Sequence, residues 1–348
     1  MNWIDKIVDF FTNTKKGVKK LPEAKQLPNE YRRNEQWKVQ ERLPIQPVVY
    51  HSQLEKAILD YMDIYFKESY AVKEGGLSSY GILTSMNTKL EPPGENRKIQ
   101  DWLIENLERN RRFEVLRQKS EREKQDVFYH IRHGDYETDQ NKMIRIYVNT
   151  HRQNVAALVC EFINRMDKGS YYVKFLADQE MESGNRLEKL VFYINMEQIN
   201  SVIQTMLQIK KEKPYLLYGS EITNPFIETI EGFMNYASNP TQPYKDMRGR
   251  LITEKGSYNK YLSMALEESV REAVIETSLR DIYFAKQING NIEDMREYKK
   301  FYTDLKKQKE VELLQRVKQN LRLLQSRNPD LKIKGLEEIR NGNIARGE

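Results

Sequence analysis

The sequence predicts an α+β fold: an antiparallel or mixed sheet with helices on one face, preceded by a small helical unit and followed by a long C-terminal helix. Two patterns carry that expectation. Between residues 112 and 265, short runs alternate apolar and polar side chains as half-buried strands do, and two apolar stripes at helical spacing fall among them. On either side of this centre, apolar residues recur at three- and four-residue steps instead. A chain of 348 residues is long enough to bury a sizeable core. The expected division is an N-terminal amphipathic helix and linker over 1–47, a helical unit over 48–111, an α+β core over 112–280 and a helical extension over 281–348.

Trp3, Ile4, Ile7, Val8, Phe10 and Phe11 fall on one helical face and are followed by Lys15, Lys16, Lys19 and Lys20. Such a segment suits a membrane surface or a partner, and equally a terminal helix docked on its own domain. Residues 21–47 hold several prolines and many charges without a period, the mark of a linker or arm. Leu54, Ile58, Tyr61, Met62 and Tyr65 then give an amphipathic helix. The turn Glu91-Pro92-Pro93-Gly94 separates it from a second helix containing Trp102, Ile104 and Leu107.

Alternation begins at Phe113 and is clearest in four runs. Val127, Tyr129 and Ile131 oppose Phe128, His130 and Arg132. Ile144, Ile146 and Val148 oppose Met143, Arg145 and Tyr147. Val173 and Phe175 oppose Tyr172, Lys174 and Leu176, and Leu190, Phe192 and Ile194 oppose Lys189, Val191 and Tyr193. Side chains alternate across a strand, so a sheet that turns the first sets onto helices gathers the second sets on its other face. That second face is basic and aromatic. The covering helices are marked by Val155, Leu158, Val159, Phe162 and Ile163, and by Ile199, Val202, Ile203, Met206 and Leu207.

Residues 214–250 are rich in Gly, Pro, Asn and Tyr, which predicts a long ordered loop or several short strands, a kind of segment that often carries sites. A helix starts near Tyr258 and passes Leu266. The last third reads as a long helix with Leu305, Leu313, Leu314, Val317, Leu321 and Leu324, whose broken apolar seam favours a docked or protruding helix over an interchain coiled coil. No internal repeat is present.

Lys and Arg number 57 against 51 Asp and Glu, a net charge of +6 that permits an anionic ligand without announcing nucleic acid. The one cysteine, Cys160, falls on an apolar helix position and reads as a buried small hydrophobe in a reducing compartment. No apolar run reaches the roughly 18 residues of a bilayer span, and the start lacks a secretory signal pattern, so a cytoplasmic location is expected.

Phosphate-loop, dinucleotide-fingerprint, H-E-x-x-H and paired-Cys motifs are all absent, so nothing points to a cofactor or a metal. His130 and His133 have a ligand-like spacing but no third ligand nearby, and His51 and His151 stand alone. What the second face offers is a hold for phosphate: Arg145 for bidentate contact, Lys174 as a compact charge, and His130, Arg132 and Lys142 nearby. The same residues suit an elimination, because a lysine among other cations loses its proton readily enough to act as a base and a histidine can protonate the departing phosphate. A basic, solvated face without catalysis fits the same pattern.

In order along the chain, Asn110-Arg-Arg-Phe-Glu-Val115, Tyr129-His130, Arg145-Ile-Tyr-Val-Asn149, Val173-Lys174, Arg186-Leu-Glu188-Lys-Leu-Val-Phe-Tyr193, Gly232-Phe-Met-Asn-Tyr-Ala237-Ser-Asn-Pro240 and Gly256-Ser257-Tyr258 resemble motifs of the HopA effector family of type III secretion systems. That family's domain also occurs as a lyase protein in class V lanthipeptide clusters. The resemblance covers a little under half of the chain. It departs from the family at Leu187 and Glu188, where an Arg-Asp pair is usual, and at Asn259, where glycine is usual. It implies a carbon–oxygen lyase that removes phosphate from phosphoserine or phosphothreonine made by a separate kinase, leaving a dehydroamino acid in a peptide. Lys174 would be the base, His130 the acid, and Arg145 and Arg186 the phosphate holders. The alternative is a non-catalytic effector or binding module whose basic face grips a phosphorylated or acidic protein partner, secreted into a host cell if it is a true effector.

Overall fold

The computed structural model describes residues 52–68, 79–85, 97–119, 126–136, 139, 142–166, 169–177, 186–252, 256–278 and 295–339. The helix expected around Trp3 to Lys20, the 21–47 linker, His51 and the Glu91-Pro92-Pro93-Gly94 turn lie outside these residues.

Among the described residues, seven strands form one antiparallel sheet: β1 (Phe113–Lys119), β2 (Asp126–His133), β3 (Ile144–Val148), β4 (Tyr171–Leu176), β5 (Leu190–Ile194), β6 (Thr229–Ile230) and β7 (Met234–Ser238). Their spatial order is β1-β2-β4-β5-β3-β7-β6. A separate pair, β8 (Tyr244–Lys245) and β9 (Leu251–Ile252), completes a segment that is therefore several short strands. The β6–β7 connection passes through two left-handed residues, Glu231 at φ 52° and Gly232 at φ 71°, the backbone that a tight hairpin turn needs. The described helices are α1 (Gln53–Glu68), α2 (Ser79–Ser85), α3 (Arg97–Arg109), α4 (Val155–Arg165), α5 (Ile199–Glu212), α6 (Tyr258–Ser278) and α7 (Met295–Arg327).

The first sheet face is the one the alternation marked as apolar. Ile131, Ile146, Val148, Val173, Phe175, Leu190, Phe192 and Ile194 bury against Leu158, Val159, Phe162 and Ile163 of α4, Val202 and Met206 of α5, and Leu103 and Leu107 of α3. Each such aliphatic or aromatic side chain taken out of water contributes about 1.5–3 kcal/mol, which is why the two helical stripes find this face. Cys160 lies here, buried, and burial pushes its thiol pKa up. Arg165 of α4 pairs with Glu212 of α5 at 2.7 Å, and Lys213 pairs with Glu161 at 2.6 Å, so charges clamp the two helix ends together. Pro214 keeps α5 from continuing past Glu212, since the residue before a proline, here Lys213, is forced out of the helical region.

The helical unit and the C-terminal helices meet on the second face. Residues of α1, α2, α6 and α7 share one core with Tyr147, Val191 and Ala237 of the sheet. Leu313, Leu314, Val317, Leu321 and Leu324 of α7 are fully buried in it, so this long helix is docked, with a break in helical geometry at Lys309. This helical layer packs on β5, β3 and β7, and its core contains no residue of β1, β2 or β4. Among the described residues, the edge of this layer falls between β5 and β4, with Arg145 on a strand inside it and Lys174 and His130 on the two strands beyond it.

Candidate functional site

Two cross-sheet rows set the geometry of the second face. In one, Leu116, His130, Lys174, Val191, Tyr147 and Asn235 are successive partners from β1 to β7. In the adjacent row the partners are Glu114, Arg132, Tyr172, Tyr193, Arg145 and Ala237. The second row holds a ladder of planar groups. The Tyr172 and Tyr193 rings stack at 4.4 Å, the Arg132 guanidinium lies 4.9 Å from the Tyr172 ring, and that of Arg145 lies 4.9 Å from the Tyr193 ring. Cation–π contact of this kind holds a guanidinium in place while leaving its edge free to donate.

Lys174 and Arg186 converge over Phe128, with Lys174 Nζ 3.9 Å and the Arg186 guanidinium 5.2 Å from the ring centre. Arg186 comes from the segment entering β5, which is pinned by the Leu187 N–H donating to the Thr84 carbonyl of α2 at 2.7 Å. The Leu187 side chain is buried. Glu188 turns inward and interacts with Arg145, Lys174 and Arg186, while the Tyr80 hydroxyl donates to its Oε2 at 3.3 Å. Glu188 Oε1 and Arg145 Nε are both buried without a hydrogen-bond partner among the described residues, so the cluster retains unused donor and acceptor capacity.

Burial dominates the electrostatics. It pushes Lys174 down from 10.5 to about 8; Glu188 opposes that fall, and Arg186 and Arg145 deepen it. Burial raises the Glu188 carboxyl, against the pull of Arg145, Lys174 and Arg186. The Tyr80 hydroxyl is pushed far up, first by the charge of Glu188 and then by burial. Burial, Lys174 and Arg132 together lower His130 to about 4. The His130 ring sits between Tyr172, whose hydroxyl is 2.7 Å from Nδ1, and Gln118, whose Oε1 is 3.1 Å from Nε2.

Of the residues expected to hold phosphate or act on it, Lys174, Arg145 and Arg186 therefore come together around Glu188, with His130 the cross-strand neighbour of Lys174. Arg132 stands on the far side of Tyr172, paired with Glu114 at 3.2 Å and set over the Tyr136 ring. Lys142 is exposed before β3, 4.0 Å from Asp139, and is not brought to the cluster. His133 is a packing residue: Nδ1 is 2.6 Å from the Gly169 carbonyl oxygen, and the ring stacks on Tyr171. Two residues that sequence reasoning gave no role, Glu188 and Tyr80, turn out to be central. Glu188 had only its place in the Arg186 motif to signal it, and Tyr80 had nothing.

Three cations around one carboxylate leave a surplus of positive charge that suits a dianion, and burial brings Lys174 to about 8, low enough for its amine to accept a proton in mildly alkaline solution. Residues 120–251, which take in β2 to β8 and the first residue of β9, match the HopA1 effector protein family. No curated protein sequence matches the chain. Among solved structures, the effector protein from Pseudomonas syringae pv. syringae strain 61 is 12% identical with a TM-score of 0.43, covering 80% of this chain and 98% of its own. That from Pseudomonas syringae pv. tomato strain DC3000 is 12% identical with a TM-score of 0.40, covering 79% of this chain and 98% of its own. Over residues 120–251, the chain is therefore similar to the HopA1 effector protein family.

Proposed function

We propose that the second sheet face binds the phosphoryl group of a phosphoserine or phosphothreonine in a peptide and eliminates it, leaving a dehydroamino acid. The observation that carries this reading is the pairing of a lysine brought to about 8 with Arg145 and Arg186 at the edge of the helical layer. Neutral Lys174 Nζ takes the proton from Cα. The electron pair of that C–H bond becomes the Cα=Cβ double bond, the Cβ–O bond breaks, and the phosphate leaves with the electron pair of that bond. Arg145 and Arg186 hold the phosphoryl oxygens, and His130 gives the leaving oxygen a proton. The step needs no cofactor. A separate kinase has to supply the substrate, either in a peptide-modifying pathway or, for a secreted effector, in the host cell.

Glu188 favours a second reading. Its carboxylate already lies among the cations that a phosphate needs, which suits a module that grips a phosphorylated or acidic partner without reacting. Mass spectrometry of phosphothreonine and phosphoserine peptides after incubation with the protein separates the two. Loss of one phosphoric acid per site, absent with Lys174→Ala, is the expected result. Intact phosphopeptide, retained in a complex with the protein, would overturn the lyase in favour of the binding module.

A further inference from the structure

Each ring nitrogen of His130 makes a hydrogen bond, and the two partners differ in kind. Gln118 on β1 presents an amide oxygen to Nε2 at 3.1 Å, and an amide oxygen only accepts. Tyr172 on β4 presents a hydroxyl to Nδ1 at 2.7 Å, and a hydroxyl can donate. A neutral imidazole has one N–H, so these two contacts place it on Nε2 and leave Nδ1 to accept from Tyr172. The charged groups acting on the ring are Lys174 from β4 and Arg132 from β2, both cations, and both oppose an imidazolium. Burial raises the Tyr172 phenol above its ordinary value, so in the ligand-free site the phenol is protonated and donates. The stack on Tyr193 at 4.4 Å and the guanidinium of Arg132 fix where that hydroxyl points.

We propose that Tyr172 is a positioning residue for His130: it fixes the ring as the Nε2–H tautomer, so that a phosphate oxygen arriving from the β1 side replaces the Gln118 oxygen and meets a neutral N–H donor. Its catalytic consequence rests on the lyase reading. As the Cβ–O bond breaks, the Nε2 proton passes to the departing phosphate oxygen and the Tyr172 proton passes to Nδ1. The phenolate formed beside Arg132 then takes its proton back from Nδ1, while Nε2 is reprotonated through solvent by the proton that Lys174 took from Cα. The cycle therefore closes without another reactant.

Proton–nitrogen correlation NMR of the imidazole groups in the ligand-free full chain tests the tautomer directly, with His130→Gln to assign the signal. The wild-type His130 signal is expected in the Nε2–H form, and Tyr172→Phe, which keeps the ring stack, is expected to give mixed tautomers. An Nδ1–H wild-type ring, or a spectrum that Tyr172→Phe leaves unchanged, would overturn the assignment. No phosphopeptide enters this measurement, so failure of the lyase reading is seen separately. Where elimination is observed, Tyr172→Phe should lower kcat about tenfold or more with KM within about twofold, and an unchanged kcat would remove the positioning role.

Discussion

His130 on β2 and Lys174 on β4 are direct cross-strand partners, so an imidazole and a partly buried amine stand side by side on one row of the sheet. Neighbours in such a pair have Cβ atoms roughly 5 Å apart, close enough for one substrate group to reach both. The pairing also adds to the electrostatics of His130, which is lowered first by burial and then by the charge of Lys174.

The rate of elimination should follow the deprotonation of Lys174. It rises with pH and levels off above about 8, the value to which burial brings this amine. Glu188 raises that value, so Glu188→Gln should move the rising limb to lower pH and bind inorganic phosphate more tightly by about threefold or more, through loss of a competing negative charge. A pH–rate profile and a calorimetric phosphate titration check both, and a limb that stays in place would separate Glu188 from the base.

Lys174 should cost stability at neutral pH. Its folded pKa of about 8 lies below its ordinary 10.5, so between those values the unfolded chain binds more protons and stability rises as pH climbs. Lys174→Met should therefore be more stable at pH 7 by about 1–2 kcal/mol. The difference should shrink towards pH 10.5, as urea denaturation at several pH values would show.

His130 gives a second window. With a folded value of about 4 against an ordinary 6.5, stability is complete above 6.5 and falls as the pH drops towards 4. Carboxylates titrate in the same range, so the informative quantity is the wild type minus His130→Gln. That difference should change by about 1 kcal/mol across the window once solvent screening is allowed for.

Asn235 tests the edge of the sheet without touching the cations. Its Nδ2 donates to the carbonyls of Asn224 and Ile227 at 3.2 and 3.1 Å, and its Oδ1 accepts from the Asn224 N–H at 2.7 Å. Asn235→Ala leaves those buried backbone groups unpaired and should cost about 2–4 kcal/mol in thermal or denaturant unfolding.

The strands were legible because alternation is a local property. Leu190, Phe192 and Ile194 announce the first face, and Tyr193 and Val191 then have to lie on the second. The convergence of Lys174 with Arg145 followed from the same parity. Lys189 obeys the parity too, yet Nζ is buried and donates to Asn149 Oδ1 at 3.0 Å, because a strand-end residue can be drawn under a neighbouring turn. Lys142 lies two residues before β3, beyond the reach of the strand's geometry. The helical layer was not legible, since an apolar stripe such as that of α1 says that it is covered and not by what. Tyr80 reaches Glu188 across 108 residues of chain, a contact that only the folded topology creates.

The central claim is that Arg145 belongs to a phosphate site, and Lys142 serves as its control because each loses one positive charge on substitution by glutamine. Calorimetric titration of a phosphothreonine peptide into the wild type, Arg145→Gln and Lys142→Gln measures the claim directly. The account predicts that Arg145→Gln weakens binding by about tenfold or more while Lys142→Gln changes it by less than about twofold. Equal losses in the two variants, or no binding by the wild type, would contradict it.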